Sequence, residues 1–209
     1  MAGRYQFLVD TYATEILKVL SVWATAADAD LDVRPRADDR RGRTLREHMI
    51  HQCQSEHGWF ATMFGIAPPG DVLPRAPERL AFLQHYAAAA AHRRAALAGM
   101  DDADWETSVA FFEVPRPRTW ILVRRIAHTA HHRGQQTALL RMLGRTVYST
   151  YGPTADTGGL GKDKAPVVYP YADVDSLLAG EAAGGRKAPL PPPVTRPLTE
   201  RPMSERPAT

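Results

Sequence analysis

The stretch RRIAHTAHHRGQQTALLRMLG, residues 124–144, sets histidines at 128, 131 and 132 into an amphipathic helical pattern. Residues four apart on a helix lie one turn apart on the same face, so His128 and His132 are spaced to share one metal ion. Ile121, Leu139 and Leu143 fall on that face, which points the pair into a helical core. A buried neutral imidazole needs partners for both ring nitrogens, and a metal supplies one of them. Two ligands make a weak site, so a third is expected from another helix. The segment TLREHMIHQCQSEHGWF, residues 44–60, offers His48, His51 and His57. His51 sits near the middle of that segment with Glu47 and Ser55 at four-residue steps, and His48, three residues earlier, can share its face. Three histidines leave one coordination position open to water or substrate, as catalytic metal sites require.

The other polar candidates read more plainly. His131 points about 100° around the helix axis from His132 and is assigned outside the site. His85 and His92 belong to the polar side of their helix. Cys53 is the only cysteine, so it forms no internal disulfide, which fits a reducing cytoplasm, and it reads as a small buried residue rather than a nucleophile. Thr129 and Ala130 fill the turn between the paired histidines, so the glutamate of a protease-like HExxH motif is missing. Gln135, one turn beyond His132, and Arg133 are candidates to orient the ligands or the bundle, and Gly134 to allow close helix packing, with the structural role preferred for all three.

Four long segments must position these groups. The first, YQFLVDTYATEILKVLSVWATA, repeats Tyr5, Leu8, Val9, Tyr12, Ile16, Leu20 and Trp23 as one apolar stripe. The second starts at a capping box of Thr44 and Glu47 and stops at Gly65 before Pro68 and Pro69. The third runs from about Pro77 to Gly99 along Leu80, Leu83, Tyr86, Ala90 and Leu97. The fourth runs from about Thr119, after the helix-hostile PRPR, to a cap at Gly144. TSVAFFEV has β-type composition and suggests a short extended excursion between the third and fourth. These elements predict an all-α four-helix bundle, and the loop of about 16 residues after the first helix predicts a crossover connection. A long Gly/Pro-rich loop from Ser149 to Ala165 follows, placed either as a partial lid or as a dimer contact, and then a short helix over DVDSLLAG. The domain is expected to span residues 1–180, with a disordered proline-rich tail over 181–209.

Charge and hydropathy narrow the function classes. The five basic and two acidic residues from Arg186 onward account for the whole net charge of +3, which leaves the remaining 185 residues neutral. A nucleic-acid-binding face needs basic residues concentrated on the folded surface, so no nucleic-acid partner is expected. No run of 18 apolar residues is present, and the N-terminus carries acidic residues where a signal peptide needs an apolar core, so the expectation is a cytoplasmic protein without a membrane partner.

The pair of motifs TLREHMIHQCQSEHGW and HTAHHRGQQTALLRMLG resembles the DinB/YfiT family of metal-binding four-helix bundles, over residues of about 5 to 150. The resemblance implies His51, His128 and His132 as the three metal ligands, with H-x-x-x-H-R-G-Q at 128–135 as the more specific motif, and it implies zinc or nickel as the divalent ion. His48, His57 and His131 are extra to the pattern, and His48 stays open as a fourth ligand. Relatives include thiol S-transferases that use bacillithiol and a mycothiol-dependent maleylpyruvate isomerase. The resemblance therefore implies a thiol S-transferase-like enzyme with a low-molecular-weight thiol as cosubstrate and a small-molecule electrophile as substrate. A metal-dependent hydrolase on the same histidines and a non-catalytic metal-binding stress-response module are the alternatives, and a homodimer is the expected assembly. A vacant position facing a cleft distinguishes an enzyme from a site closed by a fourth protein ligand.

Overall fold

The structure, a computed structural model, describes residues 3–195. It is mostly helical, with a small two-stranded sheet that corrects the all-α expectation. The long helices are α1 (Gln6–Thr25), α2 (Leu45–Trp59) and α3 (Arg79–Ala98). After the short α4 (Asp102–Glu106) come β1 (Ser108–Phe111), β2 (Val114–Pro117), the long α5 (Arg118–Met142) and α6 (Val174–Ala182). Helix α1 packs mainly against α3 and α5, whereas the main partner of α2 among the long helices is α5. The 26–44 connection therefore carries the chain to a helix other than the principal neighbours of α1.

Local chemistry explains the boundaries. The Glu47 amide donates to Thr44 Oγ1 at 3.1 Å and the Thr44 amide donates to Glu47 Oε2 at 2.8 Å, the reciprocal capping box read from the sequence. Helix α2 continues as one π-helical turn, Phe60–Phe64, and ends at Gly65, whose φ of +70° suits glycine. The segment expected to be only helix-hostile forms the second strand: Val109 pairs with Arg116 and Phe111 with Val114 across a two-residue turn. Pro115 and Pro117 are tolerated because a two-stranded ribbon has only edge strands.

One buried carboxylate joins all four long helices. Glu56 of α2 is fully buried and accepts hydrogen bonds from Tyr12 of α1 at 2.6 Å and Tyr86 of α3 at 2.7 Å. Arg93 of α3 donates to it at 3.2 Å, and Arg125 of α5 stands 3.7 Å away. Burial alone would raise the Glu56 pKa, but the two guanidinium groups and the tyrosine hydroxyls together hold it below its ordinary value. Around this cluster pack Leu20, Trp23, Met49, Phe60, Leu83 and Ile121.

The region after α5 is held by polar contacts. Ser149 and Val168 bond each other twice at 2.9 Å, and Asp156 accepts from Arg141 and from the Val147 amide, both at 2.6 Å. This loop is tied to α5 by its own polar contacts. Residues 184–195 do not leave the body either. Tyr148 donates to the Ala188 carbonyl at 2.7 Å, Lys187 pairs with the buried Glu181 at 2.8 Å, and the Val194 amide donates to Ala155 at 2.9 Å. The expected tail boundary at 181 falls inside α6, and the proline-rich segment after it is held through backbone groups and the Lys187 ammonium rather than by a core of its own. The rest of that tail, 196–209, lies outside the described residues.

Two outcomes follow from these contacts. Glu56→Ala strands Arg93 and Arg125 in the core and is expected to cost about 3–5 kcal/mol in a denaturant titration. A chain ending at Gly184 is expected to melt several degrees below the full chain in a thermal scan, and an unchanged melting temperature would show that the 184–195 contacts contribute nothing.

Candidate metal centre

Helix α2 presents His51 and helix α5 presents His128 and His132. Each offers a ligand nitrogen, and the three nitrogens lie within 4.8 Å of one another. The Nε2 atoms of His128 and His132 are 3.2 Å apart. Nitrogens bound at ~2.05 Å around a tetrahedral ion stand about 3.3 Å apart, so this separation matches one edge of a coordination tetrahedron. The His51 ring centroid is 4.5 Å from that of His132 and 5.6 Å from that of His128. The donor set is chemically suited to a divalent metal such as zinc, nickel, iron or copper.

The surroundings hold the imidazoles neutral and oriented. Burial, reinforced by neighbouring arginines and histidines, pulls the pKa of His128 down to about 4 and that of His132 to about 3; burial followed by Arg43 and Arg125 lowers that of His51. At neutral pH all three carry a lone pair for a metal. His132 Nδ1 lies 3.0 Å from Gln135 Oε1, and an amide oxygen there accepts the Nδ1 proton and leaves the Nε2 lone pair facing the other histidines. The Trp59 ring stacks on His128 at 5.7 Å with 17° between planes. Phe111 of the hairpin meets that tryptophan edge-on at 5.1 Å, and the Arg125 guanidinium lies 5.5 Å from its centroid. Behind the site, Trp23 donates to Gln136 at 3.3 Å and Gln136 donates to Gln52 at 2.9 Å.

The site opens onto a cleft of about 490 Å³ lined by Arg43, Arg124 and His131 together with the three histidines. The sequence reading pointed the pair into the core; the structure keeps His132 buried but leaves His51 and His128 only half-buried at the α2–α5 edge. His131 is correspondingly on the cleft wall, its ring 5.0 Å from His132, because the cleft is wider than one helical face. His48 is buried beside the site, its ring 5.6 Å from His132, and is not one of the converging group. None of residues 149–165 lines the cleft, so that loop is no lid for it. A Cβ on Gly134 would meet nothing within 4 Å, so this glycine is not required for close packing. Arg133 instead forms an ion pair with Glu15. Burial, followed by the charge of Glu56, pushes the Cys53 thiol up to about 12, which removes it as a nucleophile.

Sequence reasoning missed Trp59, Arg43 and Glu56 and weighed Gln135 as a ligand-orienting residue but preferred a structural role for it. Gln135 was within reach, since it follows His132 at the i, i+3 spacing that brings helical side chains together. Arg43 comes from the loop before α2 and carries no periodic signal.

A DinB family model matches residues 18–158, more than half of the chain. The chain belongs to the DinB family. The crystal structure of a DinB-like protein from Bacillus cereus superposes with a TM-score of 0.62 at 23% identity, over 72% of this chain and 100% of that one. That likeness concerns the fold. Among curated proteins none matches the chain. No helix among the described residues is long and apolar enough to cross a membrane.

The depressed histidine pKa values set a pH dependence. Between about 4 and the ordinary value near 6.5 the unfolded chain binds protons that His48, His128 and His132 refuse in the folded one, so stability is complete above that window and falls with pH through it. EDTA-treated protein is therefore expected to melt lower at pH 5 than at pH 7, and a flat profile would contradict the buried neutral state.

Proposed function

We propose that this DinB-family four-helix bundle is a metal-dependent enzyme in which His51, His128 and His132 hold one divalent ion, zinc or nickel, for a thiol S-transferase-like reaction on a small electrophile. The observation that carries the reading is the convergence of three neutral imidazoles on an open cleft, with no fourth histidine, cysteine, aspartate or glutamate in the group among the described residues. Three protein ligands and an accessible position are the pattern of catalytic rather than structural sites. A divalent metal there supplies Lewis acidity, which lowers the pKa of a neighbouring thiol or water.

The chain's own residues do the rest. Gln135 fixes the tautomer of His132, and Trp59 shields one face of His128 from solvent. Arg125 holds Trp59 from below while anchored to Ser55 at 3.0 Å and Thr129 at 3.2 Å. Thr129 and Ala130 occupy the turn between the histidines, and none of the described residues lining the cleft is a carboxylate that could act as a general base. This favours a nucleophile that ionises easily, such as a low-molecular-weight thiol, over water. Hydrolysis on the same histidines is the second reading, supported by the solvent access of the cleft.

Elemental analysis is expected to find about one divalent ion per chain, lost in a His128→Ala, His132→Ala double variant. Thiol addition to a model electrophile is expected to require the metal and to fall by orders of magnitude in His51→Ala with helicity intact. Ester hydrolysis that is metal-dependent while thiol addition is not would select the hydrolase. Equal rates with and without metal in both assays would select a non-catalytic metal-binding module.

A further inference from the structure

The lining of the histidine cleft carries a second message. Besides the three candidate ligands it consists of Arg43, Arg124 and His131, with no acidic side chain. Several surface arginines are neutralised at short range, Arg36 by Asp38 at 2.9 Å, Arg41 by Asp39 at 2.8 Å, Arg46 by Asp32 at 2.8 Å and Arg75 by Asp71 at 3.0 Å, whereas others, Arg40, Arg94 and Arg116 among them, form no ion pair among the described residues. The side chains of Arg43 and Arg124 likewise have no ion pair or hydrogen bond among the described residues. They face a group of neutral imidazoles, which brings no charge to balance them.

A second cavity of about 730 Å³ adjoins the first and shares Arg43 with it, with Arg40, Arg41, His48 and Gln135 also on its wall. Its one acidic residue, Glu47, is already engaged by the Thr44 amide at 2.8 Å and by Arg34 at 3.0 Å. His48 is 6% exposed, and its Nδ1 has no hydrogen-bond partner among the described residues. The two neighbouring cavities share the unpaired Arg43 guanidinium, the first adds Arg124 and the second adds Arg40, likewise without an ion pair among the described residues, and the Nδ1 atoms of His48 and His128 on their walls are both buried without a partner. A carboxylate-sized anion satisfies a guanidinium through paired, charge-assisted hydrogen bonds.

We propose that the cleft selects a small carboxylate-bearing substrate, whose acid group is held by Arg43 and Arg124 while its reactive part lies against His51, His128 and His132. This rests on the metal-site reading for the identity of the reacting centre. The recognition of the acid group rests on the arginines alone. A metal with three uncharged ligands keeps its full double charge, so loading it strengthens the same preference.

The test is calorimetric titration of the full chain with succinate and with its uncharged diamide, before and after loading with cobalt(II). Succinate is expected to bind in both states and more tightly with cobalt, while the diamide shows no measurable binding. An Arg43→Gln, Arg124→Gln double variant is expected to weaken succinate about tenfold, and the paired Arg75→Gln control to leave it unchanged. Binding of the diamide as tight as that of succinate, or wild-type succinate affinity in the double variant, overturns the proposal. The cobalt absorption spectrum reads the metal site separately: its absence removes the metal reading, while the arginine comparison in the cobalt-free protein still decides whether the cleft recognises the acid group.

Discussion

The structure depends on one charge buried where four helices meet. A carboxylate in a low-dielectric core is stable only when other groups satisfy its oxygens and offset its charge. Glu56 obtains this from Tyr12, Tyr86, Arg93 and Arg125, which come from the other three long helices. Apolar packing alone tolerates small slides of one helix along another; this cluster does not, because each slide would strand a charge. Tyr12 and Tyr86 are kept protonated, their pKa values raised well above the ordinary one by burial first and by the Glu56 charge next, so they remain donors at any physiological pH.

The same cluster fixes the height of the histidines. Arg125 reaches Glu56 with one side of its guanidinium, meets Ser55 and Thr129, and underlies the ring of Trp59, which stacks on His128. His128 is one turn beyond Arg125 on the same helix, so the register that satisfies the buried charge also sets the register of α5 against α2 at the histidines. The hairpin takes part in this arrangement, since Phe111 and Phe112 pack edge-on against Trp59. A short β-ribbon in a helical protein thus has a mechanical role, holding Trp59 against His128.

Electrostatics separates the interior from the cleft. Inside, each arginine is matched: Arg93 and Arg125 by Glu56, Arg133 by Glu15. At the cleft the guanidinium groups are left unmatched beside imidazoles that burial keeps neutral. Unmatched positive charge at the surface costs little in stability because water screens it, and it is available to a ligand that displaces that water.

Much of this was legible in the chain alone. Periodic apolar residues marked the four long helices, the Thr44 and Glu47 capping box marked the start of α2, and the four-residue spacing of His128 and His132 marked one face. These are local properties, decided by backbone geometry within a few residues. The position of His51 at mid-helix height pointed to it as the third ligand, but choosing it over His48 rested on family resemblance, because nothing in a single sequence states which helix faces which. The hairpin strand through Val114–Pro117 was hidden by its prolines, and the docking of residues 184–195 was hidden because it uses backbone groups that every residue possesses and one lysine that pairs with a distant carboxylate. Glu56 read as an ordinary helix glutamate and Arg43 as an ordinary loop arginine. Only the tertiary structure buried the first and left the second unpaired over the histidines, since burial and charge pairing depend on neighbours brought in from distant parts of the chain.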